Sequence, residues 1–143
     1  MRVAAVLQAL GTVGHTLASL NSPSRGPEEE AVFNAMRAFH FDVMGSNRSH
    51  WDFYKGYELS ISVSFLLLAV LIWQLSNMSR TAPRNALPLI VTILIAEILL
   101  GVLGWMYFFA APGVVSILIA LCLVMAMFTI YRADERAVAT AGK

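Results

Sequence analysis

The stretch "LPLIVTILIAEILLGVLGW", Leu87 to Trp105, holds a single ionisable side chain, Glu97, in a run long enough to cross a bilayer. A transmembrane helix needs about 20 mostly apolar residues. In hydrocarbon the backbone must bond to itself, which a helix does within one segment. Similar stretches lie on both sides, and the expected spans are 3–20, 51–75, 87–110 and 114–131. Composition agrees, with 58% hydrophobic and 13% charged residues, the latter about half the share in soluble domains. The chain therefore reads as one integral membrane domain over 1–143: all-α, a four-helix transmembrane bundle of up-down topology. A net charge of +1 with no run of Lys or Arg excludes the clustered basic face of a nucleic-acid binder.

The first segment, "VAAVLQALGTVGHTLASL", is the most polar. Arg2 and the "TLA" before Ser19 also fit a cleavable secretory signal. A retained helix keeps the number of spans even and is the expectation here. Cys122 is the only cysteine, so no internal disulfide or multi-cysteine metal cage exists. "AAPGV", with Pro112-Gly113 as a turn signal, is expected to fold helices three and four into an antiparallel hairpin.

Basic residues set the orientation. Arg80 and Arg84 lie between spans two and three, and Arg132, Arg136 and Lys143 follow span four. By the positive-inside rule these ends face the cytoplasm, so both termini are expected there. Trp51, Tyr54, Tyr57, Trp105 and Tyr107 would mark the outer interface, and Trp73 and Tyr131 the inner one. Between spans one and two, Pro27 precedes three glutamates, and Val32, Ala35, Met36, Phe39 and Val43 approximate a helical stripe. This predicts an additional outer amphipathic helix over 27–40.

Ionisable residues inside a membrane are functional candidates by default. Three qualify: His15, Glu58 and Glu97. Glu97 shares a helix face with Gly101 and Gly104, where small residues admit a neighbouring helix. His15 stands one turn from Gly11, on a face extended by Ala4 and Ala18. Packing glue and a role in binding or proton handling both remain open for these groups. Ser60, Ser62 and Ser64 fall on different faces of a helix and read as bonding partners.

Charge gathers at the head of span two, in "GSNRSHWDFYKGYELSISVS". Arg48 and Asp52 are an i, i+4 pair, and Lys55 follows Asp52 at i+3, so a clamp centred on Asp52 is expected. Arg48 and Lys55 also suit the anionic head of a lipid-like ligand. His40 and Asp42, with His50 and Asp52, repeat a His-x-Asp pattern that supplies metal-ligand types without a recognised ligand spacing. Ser49, His50 and Asp52 contain hydrolase-triad residue types but no nucleophile elbow.

The run "FDVMGSNRSHWDFYKGYELSISV", with the "GHT" of helix one, resembles a group of small bacterial integral membrane proteins. These carry an Arg-Ser/Thr-x-Trp-Asp-Phe-Tyr-x-Gly signature at the start of helix two. The resemblance covers Gly14 to about Leu75. It implies the inner (cytoplasmic) membrane of a bacterium and favours His15, Arg48, Trp51, Asp52, Tyr54 and Gly56 as shared site residues. The family tends to carry an aromatic residue at His50 and a small one at Glu58, and it lends no activity.

The functional expectation is an integral membrane protein that binds a small amphiphilic or apolar ligand, such as a lipid, quinone or isoprenoid. Its pocket would open to the outer leaflet, with His15, Arg48, Trp51, Asp52, Tyr54, Glu58 and Glu97 as ligand-binding residues. The alternatives are a membrane enzyme using His15, Glu58 or Glu97 in acid–base chemistry, and an accessory subunit of a membrane complex or a homo-oligomer. Membrane lipids are the expected partners, and no cofactor is assigned.

Overall fold

A computed structural model describes residues 1–21 and 23–141, with backbone alone for 134 and 136–141. Arg136's side chain and Lys143, part of the basic carboxyl end, lie outside the described residues. The order is α1 (Arg2–Leu20), α2 (Pro27–Ala38), β1 (His40–Val43), β2 (Ser46–Ser49), α3 (His50–Thr81), α4 (Pro83–Tyr107) and α5 (Ala110–Ala141). The chain is all-α apart from the small β ribbon. Four helices are long and apolar enough to cross a membrane: α1, α3, α4 and α5 up to Ala133. Their apolar windows are only 22–28% buried within the protein, which leaves most of their surface for lipid.

Three boundaries differ from expectation, each for a local reason. The link between α3 and α4 shrinks from a polar loop to Ala82, because a residue before proline is pushed out of the α region and Pro83 is well placed as a first helical residue. Helix α4 thus starts a turn early and carries Pro88 inside it. Pro112-Gly113 is not the turn between α4 and α5. The chain turns at Phe108–Phe109, and α5 takes Pro112 into its first turn, where a missing N–H costs little.

The amphipathic helix ends at Ala38, and His40 enters a hairpin that the sequence pattern did not reveal. Strands β1 and β2 pair antiparallel, with His40 opposite Ser49 and Phe41 opposite Arg48. Met44 (φ 53°) and Gly45 (φ 82°) both have positive φ, as a two-residue type I′ turn requires. Asp42 Oδ1 accepts the Gly45 N–H at 3.0 Å. Met44, an unusual residue for that conformation, is fully exposed. Val43 fits both the helical stripe and the end of a strand, which hid the ribbon.

The chain divides into two compact units, residues 1–11 with 65–143, and residues 12–64. In the first, the core joins Ala4 and Ala5 of α1, Ile72 and Leu75 of α3, Ala86, Ile90 and Ile93 of α4, and Ile119, Leu123 and Ile130 of α5. The buried stripe of α4 runs Ala86, Ile90, Ile93, Glu97 and Gly104 at spacings of three, four and seven, the seam of a packed helix. Glycine sets the close approach to α5. A Cβ on Gly104 would stand 3.1 Å from the Gly113 nitrogen, and one on Gly113 would stand 3.3 Å from Trp105 Cε3.

Gly104→Ala should therefore destabilise the α4–α5 hairpin by about 1–3 kcal/mol through overpacking. Gly14→Ala, where a Cβ meets nothing within 4 Å, should be neutral or raise stability by up to about 1 kcal/mol from helix propensity. Reversible unfolding in mixed micelles compares the two directly.

Candidate functional site

The second unit gathers the polar residues at the head of α3. Ser49 and Asp52 cap that helix reciprocally: the Ser49 N–H donates to Asp52 Oδ2 at 2.8 Å, and the Asp52 N–H donates to Ser49 Oγ at 3.2 Å. This is a capping box with aspartate in the glutamate position. Ser49 is buried, at 3% exposure. Ser49 and Asp52 thus act structurally, by starting a helix.

The clamp expected around Asp52 is not built. Lys55 turns away from Asp52 and pairs with Glu58 Oε2 at 2.8 Å. Its ammonium also donates to the Ser19 carbonyl, in the last turn of α1. A cation there satisfies an orphan carbonyl and opposes the negative end of the helix dipole. One turn back, His15 Nε2 lies 3.1 Å from the Glu58 carbonyl. A carbonyl only accepts, so the proton sits on Nε2 in this bond. Ser62 Oγ donates to the same carbonyl at 3.3 Å. As α1 advances from His15 to Ser19, α3 retreats from Glu58 to Lys55, so the two helices run in opposite directions here.

His15 therefore meets the peptide group of Glu58, while Lys55 holds its carboxylate.

An aromatic layer adjoins this lock. Trp51 packs against Phe33 of α2 (ring centroids 5.1 Å apart) and Tyr54 (5.5 Å). Arg37 lies 4.1 Å from the centre of the Trp51 ring, and Lys55 5.4 Å from it. Cations over aromatic faces are attracted by the ring quadrupole. Arg37 also pairs with Glu30 at 3.4 Å. A second row stacks His50 on Phe39 at 5.5 Å and Phe41 on Phe53 at 5.7 Å, tying the ribbon to α3.

The metal candidates do not gather. His40 Nδ1 lies 3.1 Å from the Ala38 carbonyl, Asp42 holds the turn, His50 stacks, and Asp52 caps. No group of three or more His, Cys, Asp or Glu suited to a metal occurs among the described residues.

What remains open is a groove of about 280 Å3 lined by Arg48, Asp52, Phe53, Gly56, Tyr57 and Ser60. Asp52, Gly56 and Ser60 follow one helical line at i, i+4 and i+8, with Phe53 and Tyr57 beside it. The space beside Gly56 is open, since a Cβ there would meet nothing within 4 Å. Arg48 forms no ion pair among the described residues. Of the expected site residues, Arg48 and Asp52 line the groove, Trp51 and Tyr54 form the aromatic layer, and His15 and Glu58 hold α1 to α3. Phe53, Tyr57 and Ser60 were missed as site residues, although their spacing from Asp52 was a readable signal.

Glu97 belongs to the first unit, on the packed stripe of α4. It is 1% exposed, and neither carboxyl oxygen has a hydrogen-bond partner. Ser116 of α5 is the hydroxyl beside it. A buried carboxyl is costly unless bonded, and the Ser116 hydroxyl of α5 is the group placed to bond it across the hairpin.

These features define a class: an all-α chain of four helices able to cross a membrane, with a polar, aromatic-lined head on one of them. No family model, no curated protein and no solved structure matches the chain.

A double-mutant cycle on Lys55 and Glu58, with Met and Gln as replacements, should give a coupling of about 1–2 kcal/mol, above the roughly 0–1 kcal/mol of an exposed pair such as Arg37–Glu30. Glu97→Leu should be at least as stable as Glu97→Gln and above wild type by about 1–3 kcal/mol, because it removes an unbonded buried carboxyl. A thermal or chemical unfolding comparison in lipid nanodiscs tests both.

Proposed function

We propose that this chain is an up-down four-helix protein of a bacterial cytoplasmic membrane, with both termini inside, that binds a small amphiphile at the head of α3. Helix α2, which has no buried residue of its own, lies along the outer membrane surface in this reading. The ligand is a lipid, quinone or isoprenoid-like molecule with a polar or anionic head. Its head meets Arg48, and its apolar body follows Phe53, Gly56 and Tyr57 into the outer leaflet.

One observation carries the reading. The Arg48 guanidinium makes no ion pair among the described residues, and it stands over a groove with open space beside Gly56. Asp52, whose charge reaches Arg48, is occupied as the helix cap, so a ligand head is the natural counter-charge. A guanidinium suits that role, since its planar donors match carboxylate and phosphate geometry. The acid–base alternative has weaker support, because His15 bonds to a peptide carbonyl and Lys55 takes the Glu58 carboxylate.

Native mass spectrometry of gently extracted protein tests it. Wild type should retain an amphiphile, and both Arg48→Ala and the groove-filling Gly56→Leu should lose most of it while staying folded. A wild type that carries nothing, or variants that keep the ligand at wild-type level, would overturn the proposal.

A further inference from the structure

A second concavity lies elsewhere, on α5. It encloses about 640 Å3 and is lined by Val124, Met125, Phe128, Thr129, Arg132 and Ala133. These fall at i, i+1, i+4, i+5, i+8 and i+9, one face of a single helix. Val124, Met125 and Phe128 are exposed there, at 48%, 71% and 55%. The apolar run of α5 ends at Tyr131 in the sequence and charged residues follow it, so Arg132 stands at its apolar boundary. Its guanidinium folds back over Phe128, 4.2 Å from the ring centre, and therefore lies along the groove toward the apolar interior.

The charge around this end of the unit is predominantly basic. Gly104 packs on Gly113 and Gly101 on Ser116. Carried along the antiparallel hairpin, that register brings Asn85 level with Arg132. Arg84 is thus close to the same level, Arg80 ends α3 just before the Ala82 link, and Arg2 sits over Trp73 of α3 at 5.4 Å. Against these arginines the sequence sets two acids, Asp134 and Glu135, just beyond Arg132. Arg132 makes no ion pair among the described residues.

We infer that this face is a binding site for one anionic glycerophospholipid, its phosphate on Arg132 and an acyl chain along Val124, Met125 and Phe128. A guanidinium turned toward hydrocarbon needs an anion at that depth, and a phospholipid supplies one joined to a chain that fills the apolar groove. The basic end of the unit selects a net negative headgroup over a zwitterionic one. The site is independent of the α3 groove, and its test does not involve Arg48 or Gly56.

Delipidated full-length protein is titrated with phosphatidylglycerol or phosphatidylcholine and read by native mass spectrometry. Wild type should favour phosphatidylglycerol, and Arg132→Gln should weaken that lipid about fivefold, as expected for one basic residue near a membrane surface. Phosphatidylcholine, whose phosphate lies beneath a cationic choline, should bind wild type more weakly and lose less on the same substitution. Equal phosphatidylglycerol affinity in wild type and Arg132→Gln would overturn the inference. Wild-type protein with a diazirine-tailed phosphatidylglycerol gives an answer that needs no variant. Label concentrated on Val124–Phe128 supports the site, and label spread evenly over all four spans overturns it.

Discussion

Peptide groups surrounded by hydrocarbon have no water to bond to, and this constraint shapes everything else in the chain. It makes each apolar stretch a helix and removes burial of apolar area as the force that joins helices, since lipid tails are as apolar as leucine. Close approach must then supply the packing. In the α4–α5 hairpin it comes from Gly101, Gly104 and Gly113, whose missing Cβ atoms let one backbone touch the other. The core around Ile90, Ile93, Ile119 and Leu123 closes behind that contact.

The same constraint sends polar groups to helix ends, where orphan N–H and C=O groups need partners. Ser49 and Asp52 satisfy the start of α3, while Lys55 covers the end of α1 and holds Glu58. The crowding of charge from Arg48 to Glu58 is therefore mostly a set of satisfied structural bonds, together with cation–aromatic contacts at Trp51. Arg48 stands apart in having a groove in front of it. Glu97 is the other exception, a carboxyl in the packed seam of α4 without a bond.

Arginine plays two different parts in this chain. Arg37 is tied to Glu30 and lies over Trp51, so its charge is used within the protein. Arg48 and Arg132 each border a groove with an apolar wall and make no ion pair among the described residues. Amphiphiles, charged at one end and apolar along the rest, match that combination.

The amino-acid sequence by itself determined the four helices able to cross a membrane. Length and hydropathy are properties of a segment, and the bilayer thickness that they answer to is the same for every protein. It also marked Arg48, Asp52 and Glu97, because an ionisable residue beside or within an apolar run stands out without coordinates. Tertiary structure alone decided which partner each charge takes. Lys55 has Asp52 and Glu58 equally near in sequence, and the Ser19 carbonyl, 36 residues away, helps draw it to Glu58. The β ribbon was hidden because Val43 satisfies a helical stripe as well as the end of a strand, and the positive φ of Met44 and Gly45 marks the turn. Sequence patterns record where apolar surface must be buried, whereas hydrogen-bond partners depend on which ends the packed helices bring together.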